Sequence, residues 1–183
     1  GWLRDYAGLN PVLQAEVARL YVERDRLDEA VLLYERVAAA LPKALVVRLQ
    51  LAYLHLRMGE AQKGLAVLLP VPDLPPPGLR LLAHLYRRTG RNDQAIASLK
   101  AAEAAASAAQ DTAFFDLDFH LFHATAAEEL GSLDLAVDQA RKALALAPED
   151  PMVCHFLGYI LADHTRDLAD ADAPIVQPVA AEP

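Results

Sequence analysis

The chain is poor in the residues that pin small or reactive proteins together. Of 183 residues, one is cysteine, Cys154, so no disulfide can form within the chain. There is one tryptophan, Trp2, and aromatic residues make up 7%. Positive charge is in deficit: 17 Lys and Arg stand against 25 Asp and Glu, a formal net charge of -8. That balance argues against nonspecific binding to nucleic acid. No apolar run approaches the ~20 residues of a membrane-spanning helix. The sequence opens Gly1-Trp2-Leu3-Arg4, with no signal-peptide pattern, and both ends read as boundaries within a longer parent chain. Glycine-rich phosphate loops, metal quartets and nucleophile motifs are also missing.

What the chain does have is alanine, leucine and a period. Hydrophobic residues make up 54%, much of it helix-favouring Ala and Leu. Small residues recur at Ala18, Ala52, Ala83, Ala124 and Gly158, and a second series runs Ala30, Gly64, Ala95, Ala136 and Ala171. Gly59, Gly90 and Gly131 mark turns between the series, and Pro42, Pro76, Pro148 and Pro183 stand near the ends of the second helices. Two alignment points moving together predict stacked helix pairs, each burying its apolar face against its neighbours.

The spacing is uneven. Ala18 to Ala52 and Ala124 to Gly158 are 34 residues each, Ala52 to Ala83 is 31 and Ala83 to Ala124 is 41. The pattern predicts helix pairs at 11–24 and 27–41, 44–58 and 61–69, 78–89 and 92–109, and 112–130 and 133–147. A fifth first helix runs over 151–164, and its second helix, from Asp167, breaks at Pro174 and Pro178. Residues 1–10 read as the end of a preceding helix stopped by Asn10-Pro11. Pro75-Pro76-Pro77-Gly78 reads as a stiff loop. The gain before the fourth pair, rich in alanine over 104–109, corresponds to about two helical turns. It lengthens a helix pair or forms a ridge.

Leu27-Asp28-Glu29-Ala30 and Leu133-Asp134-Leu135-Ala136 resemble the second helix of the tetratricopeptide repeat; Leu51-Ala52, Leu82-Ala83 and Leu157-Gly158-Tyr159 resemble its first. The resemblance covers Pro11 to the C-terminus, as a single array of repeats at about 11–42, 44–76, 78–109, 112–148 and 151–183, the last incomplete. It implies an all-α fold, a right-handed α-α superhelix of antiparallel pairs. The stretch from Phe156 to Asp163 is similar to one in long bacterial members of the family, envelope scaffolds and lipoproteins among them. The chain departs from the pattern at Asp25, where a turn glycine is usual, and at His120 and His123, where large apolar residues are usual. Ala127 and Ala140 replace bulkier residues and imply closer packing in the fourth repeat.

The family's first helices line a concave groove. By that resemblance the groove presents Arg19 from the first repeat, Gln50, Tyr53 and Arg57 from the second, and Arg80, His84, Arg87 and Arg88 from the third. Phe122 comes from the fourth, and His155 and Tyr159 from the fifth. Residues 80, 84, 87 and 88 share one helical face. They form either a basic site for an acidic peptide, through paired Arg–carboxylate hydrogen bonds, or a solvated face paired with Glu128 and nearby acids. Tyr53, Phe122, Phe156 and Tyr159 are the expected apolar anchors. The family's clamp for a chain-terminal carboxylate is not reproduced: Ala15, Arg19 and Gln50 stand where it needs Lys and Asn.

His120 and His123, at i, i+3 with Asp116 nearby, read as structural histidines satisfied by hydrogen bonds rather than as metal ligands. Cys154 beside His155 has no orienting third group and reads as structural. The expectation is a protein–protein interaction scaffold with no catalytic residue, metal or cofactor. Its partner is a protein or peptide. The alternatives are the recruiting arm of a larger enzyme or envelope assembly, and self-association.

Overall fold

The structure, a computed structural model, describes residues 10–162. The expectations for residues 1–9, Asp163, Pro174, Pro178 and the fifth second helix lie outside the described residues. Among the described residues the fold is all-α. It comprises α1 (Pro11–Glu23), α2 (Leu27–Ala40), α3 (Leu45–Arg57), α4 (Ala61–Leu68), α5 (Pro76–Arg88), α6 (Asn92–Ala108), α7 (Leu117–Glu129), α8 (Leu133–Leu146) and α9 (Pro151–Ile160). They fall into two compact units, one ending at Arg91 and the other starting at Asn92.

In the first unit α1 packs on α2, α3 on α4, and α5 on both α3 and α4. The helices end alike. At the close of α1, Asp25 N–H bonds to Val22 O and Arg26 N–H to Tyr21 O; α3 repeats this at Gly59 and Glu60, and α5 at Gly90 and Arg91. This hydrogen-bond pair requires a left-handed residue after the helix. Gly59 and Gly90 supply it without strain, whereas Asp25 adopts φ +56° at some cost. Asp25 returns part of that cost by pairing with Arg57 at 2.9 Å, an exposed bridge of at most about 1 kcal/mol.

The small residues sit where helices approach closely. Ala18, Ala30, Ala52 and Ala83 are fully buried. A Cβ on Gly64 of α4 would lie 2.5 Å from Leu85 Cδ2 and 3.1 Å from the Ala52 carbonyl. Gly64→Val therefore overpacks the contact of α4 with α3 and α5. A loss of about 2–3 kcal/mol is expected, read as a lower midpoint in chemical denaturation.

Helix α4 is short, as the prolines at 70 and 72 predict, and its end is tied down by Arg48, which donates to Val67 O at 3.3 Å and to Pro42 O at 2.9 Å. The proline run is corrected: α5 begins at Pro76, not Gly78, with Pro75 as its N-cap. The first turn of a helix has no use for its N–H donors, so Pro76 and Pro77 start the helix instead of blocking it.

In the second unit α7 lies against α6 and α8, and α8 against α9. Ala124, Ala126 and Ala127 of α7 and Ala136, Ala140 and Ala143 of α8 are all fully buried, an interface of methyl groups. The fourth first helix is also corrected. It starts at Leu117 rather than Thr112, because the Asp116 carboxylate accepts from Phe119 N–H at 2.7 Å and caps α7 there. The extra length before it is taken up by the 17-residue α6, by Gln110 at φ +56°, and by a 3-10 turn over Thr112–Phe114. Phe114 anchors that turn, 4.9 Å from the Phe119 ring, with Phe115 5.8 Å from Phe119. Helix α9 starts at Pro151 as expected, capped by Asp150.

Candidate functional site

In the first unit, Arg19 and Gln50 come together at a cleft of about 210 Å³, lined also by Ala15, Val22, Tyr34, Val46 and Val47. The cleft's floor is apolar. Its guanidinium is already engaged: Arg19 pairs with Glu16 at 3.2 Å and with Glu23. The hydrogen bond that Arg19 donates to Glu16, then the charge of Glu23, hold the Arg19 pKa above its usual value. Glutamates at i-3 and i+4 of a helix reach an arginine whether or not a ligand is present, so Arg19 is a compensated charge. Tyr34 and Val46 were not among the sequence-derived site residues. Tyr34 belongs to a second helix and its burial marked it as core, while Val46 is 70% exposed in the first turn of α3.

Farther along, Tyr53 is 46% exposed, an uncovered aromatic ring on α3. Arg57 is committed to its ion pair with Asp25. On α5, Arg80, His84 and Arg87 are half-buried and Arg88 is exposed. Burial first, then the charges of Arg80, Arg87 and Arg88, lower the His84 pKa from 6.5 to about 4. The imidazole is therefore neutral at pH 7 and sits within the field of three guanidiniums. Arg87 and Arg88 lie in the last helical turn, where the backbone dipole favours cations.

In the second unit Phe122 is 9% exposed. Most of the ring is therefore covered by the chain itself, and little of this expected anchor is open to a partner. His155 and Tyr159 are exposed and one turn apart on α9. Met152, 81% exposed one turn earlier, extends their stripe and was missed; its spacing from His155 was the available signal.

The two histidines of α7 behave differently. His120 Nδ1 lies 2.7 Å from Gln139 Oε1, so it is satisfied as expected. His123 is fully buried with neither ring nitrogen hydrogen-bonded, which corrects the expectation that both are. Burial, the largest cause, lowers its pKa to about 4. No cluster of three metal-ligating side chains occurs among the described residues, and no helix there is long and apolar enough to cross a membrane. Cys154 is a free thiol, 3.5 Å from Pro148 O.

Residues 81–108, the end of α5 and all of α6, match the tetratricopeptide-repeat family. No curated protein matches the sequence as a relative. Among solved structures, MamA residues 41-end from Desulfovibrio magneticus RS-1 is 18% identical with a TM-score of 0.73, covering 90% of this chain and 93% of that one. Another MamA structure is 15% identical with a TM-score of 0.75, over 86% and 90%. YrrB, described as a TPR protein with an unusual peptide-binding site, is 13% identical with a TM-score of 0.73, over 88% and 81%. At such identities the likeness speaks for fold alone, and that fold of stacked helix pairs agrees with the tetratricopeptide repeat matched over residues 81–108.

Proposed function

We propose that this chain is a noncatalytic binding module for an acidic peptide segment, which lies along the first-helix faces of the first unit. The observation that carries the reading is the set Arg80, Arg87 and Arg88 around a half-buried, neutral His84 on α5. A guanidinium recognises a carboxylate through paired, charge-assisted hydrogen bonds, and here a ligand carboxylate competes with the partners that Arg80 and Arg87 already have within the chain. Tyr53 offers an apolar contact on the same unit. The cleft at Gln50 has room for an aliphatic side chain. A rigid helical surface leaves the ordering cost mainly to the peptide. YrrB, which shares the fold, is described as having a peptide-binding site.

Selection from a random peptide library tests this reading. Sequences enriched in Asp and Glu are expected from the native chain, with the enrichment lost when Arg80, Arg87 and Arg88 are reversed to Glu. Selected peptides without acidic bias, or with equal retention by the reversed variant, count against it.

A further inference from the structure

In the first unit, the turn into α3 and the loop after α4 enclose a cleft of about 410 Å³. Its walls are Pro42, Leu45, Pro70, Val71 and Pro72, and its charged residues are Lys43 and Arg48. None of these belongs to the arginine stripe of α5 or to the cleft at Gln50. Volumes of about 300–1,000 Å³ are usual for small-molecule sites, and about 150 Å³ already holds a benzene ring. Proline has no side-chain rotamer freedom to lose on contact. Three prolines therefore give rigid, preformed walls, and the flat faces of their rings suit a planar apolar group. Proline-rich peptides make the same contact in aromatic-lined grooves, with the two partners exchanged.

The two cations have no counter-charge within the chain. Arg48 donates through Nε to Pro42 O at 2.9 Å and through a terminal nitrogen to Val67 O at 3.3 Å. These bonds use two of its five N–H groups. Both acceptors are uncharged carbonyls, which hold the half-buried Arg48 in place without neutralising it. Lys43 has no ion-pair or hydrogen-bond partner among the described residues, and Asp73 of the neighbouring loop pairs with neither cation. In a chain of net charge -8, this is an uncompensated pair of positive charges beside an apolar cleft. Five of the seven lining residues are apolar, so the matching ligand is mostly ring, with a small charged group. We propose that this cleft binds a small aromatic carboxylate. Its ring lies between the prolines, and its carboxylate accepts from the remaining Arg48 N–H groups and from Lys43.

The probe is 2-naphthoate, titrated into the full chain and followed by calorimetry and by amide NMR. Saturable binding is expected, with the largest shifts at Lys43, Leu45, Arg48 and Val71. 2-Naphthamide keeps the rings and loses the charge; acetate keeps the charge and loses the rings. Each is expected to bind at least about tenfold more weakly. Lys43→Glu, at an exposed position, is expected to cost the naphthoate about tenfold, and Arg48→Gln at least as much. Arg48→Gln also releases the end of α4, so circular dichroism accompanies both variants, and Lys43→Glu decides the matter where Arg48→Gln fails to fold. Reversing Arg80, Arg87 and Arg88 to Glu leaves naphthoate affinity nearly unchanged, which separates this cleft from the peptide surface. The inference is overturned by an absence of saturable binding, by equal binding of the amide, by shifts centred on α5, or by unchanged affinity in folded Lys43→Glu.

Discussion

Acidification from pH 7 to pH 5 is expected to remove about 2 kcal/mol of stability through His123 alone, and about 3 kcal/mol by pH 4. In the unfolded chain this imidazole takes up its proton near 6.5, whereas in the folded state it does so only near 4. Between those values the unfolded state binds more protons, so stability is complete above the higher pKa and falls as pH drops toward the lower. His84 contributes in the same direction and window, by less, since it is only half-buried and water screens it. Urea denaturation across this range measures the slope. His123→Leu is expected to remove most of it. The substitution also raises stability at pH 7 by about 1–3 kcal/mol, because it deletes buried nitrogens that have no hydrogen-bond partner. Phe119, whose ring centre is 5.6 Å from that of His123, then packs against an aliphatic side chain. An unchanged slope, or a loss of stability at pH 7, would show that the imidazole finds partners in the folded protein.

Reversing Arg80, Arg87 and Arg88 to Glu is expected to weaken an acidic peptide by at least about a hundredfold, because charge-assisted hydrogen bonds are worth about 1.5–3 kcal/mol each. The salt dependence of the remaining binding flattens as well. Lys63→Glu, an exposed charge on α4 that pairs with Glu60 at the start of the same helix, serves as the control and leaves affinity nearly unchanged. Tyr53→Ala is expected to cost about tenfold, the usual scale for an aromatic contact. Two of the reversed charges sit at the C-terminal end of α5, where each costs the helix about 0.3–1 kcal/mol. A thermal melt therefore accompanies the binding curve. Affinity retained by a folded triple variant would remove α5 from the site.

Much of the fold was legible because close helix approach is written in residue volume. Ala18, Ala52 and Gly64 are small for the same reason that they are buried, so their period survives the uneven spacing. Two helix starts were misread where local chemistry outweighed the pattern: Pro76 and Pro77 occupy positions that need no donor, and the Asp116 cap delayed α7 to Leu117. The site was less legible. The proximity of Arg80, His84, Arg87 and Arg88 follows from helical spacing alone, and the charges indeed act on one imidazole. The engagement of Arg19 was visible in Glu16 and Glu23 at helical spacing. By contrast, the pairing of Arg57 with Asp25, 32 residues away, depends on how successive pairs stack. The burial of Phe122 and the isolation of His123 likewise depend on neighbours from other helices, which no local pattern encodes.

The central claim is that an acidic peptide binds the arginine stripe of α5, and the His84 imidazole is its natural reporter. A proton titration of His84 followed by NMR, with and without a selected acidic peptide, tests it most directly. In the free protein the imidazole titrates at about 4; a carboxylate placed among the three arginines raises that value. A pKa that moves upward on saturation is the result this account predicts. A His84 signal that neither shifts nor changes its pKa while the peptide is bound would contradict it.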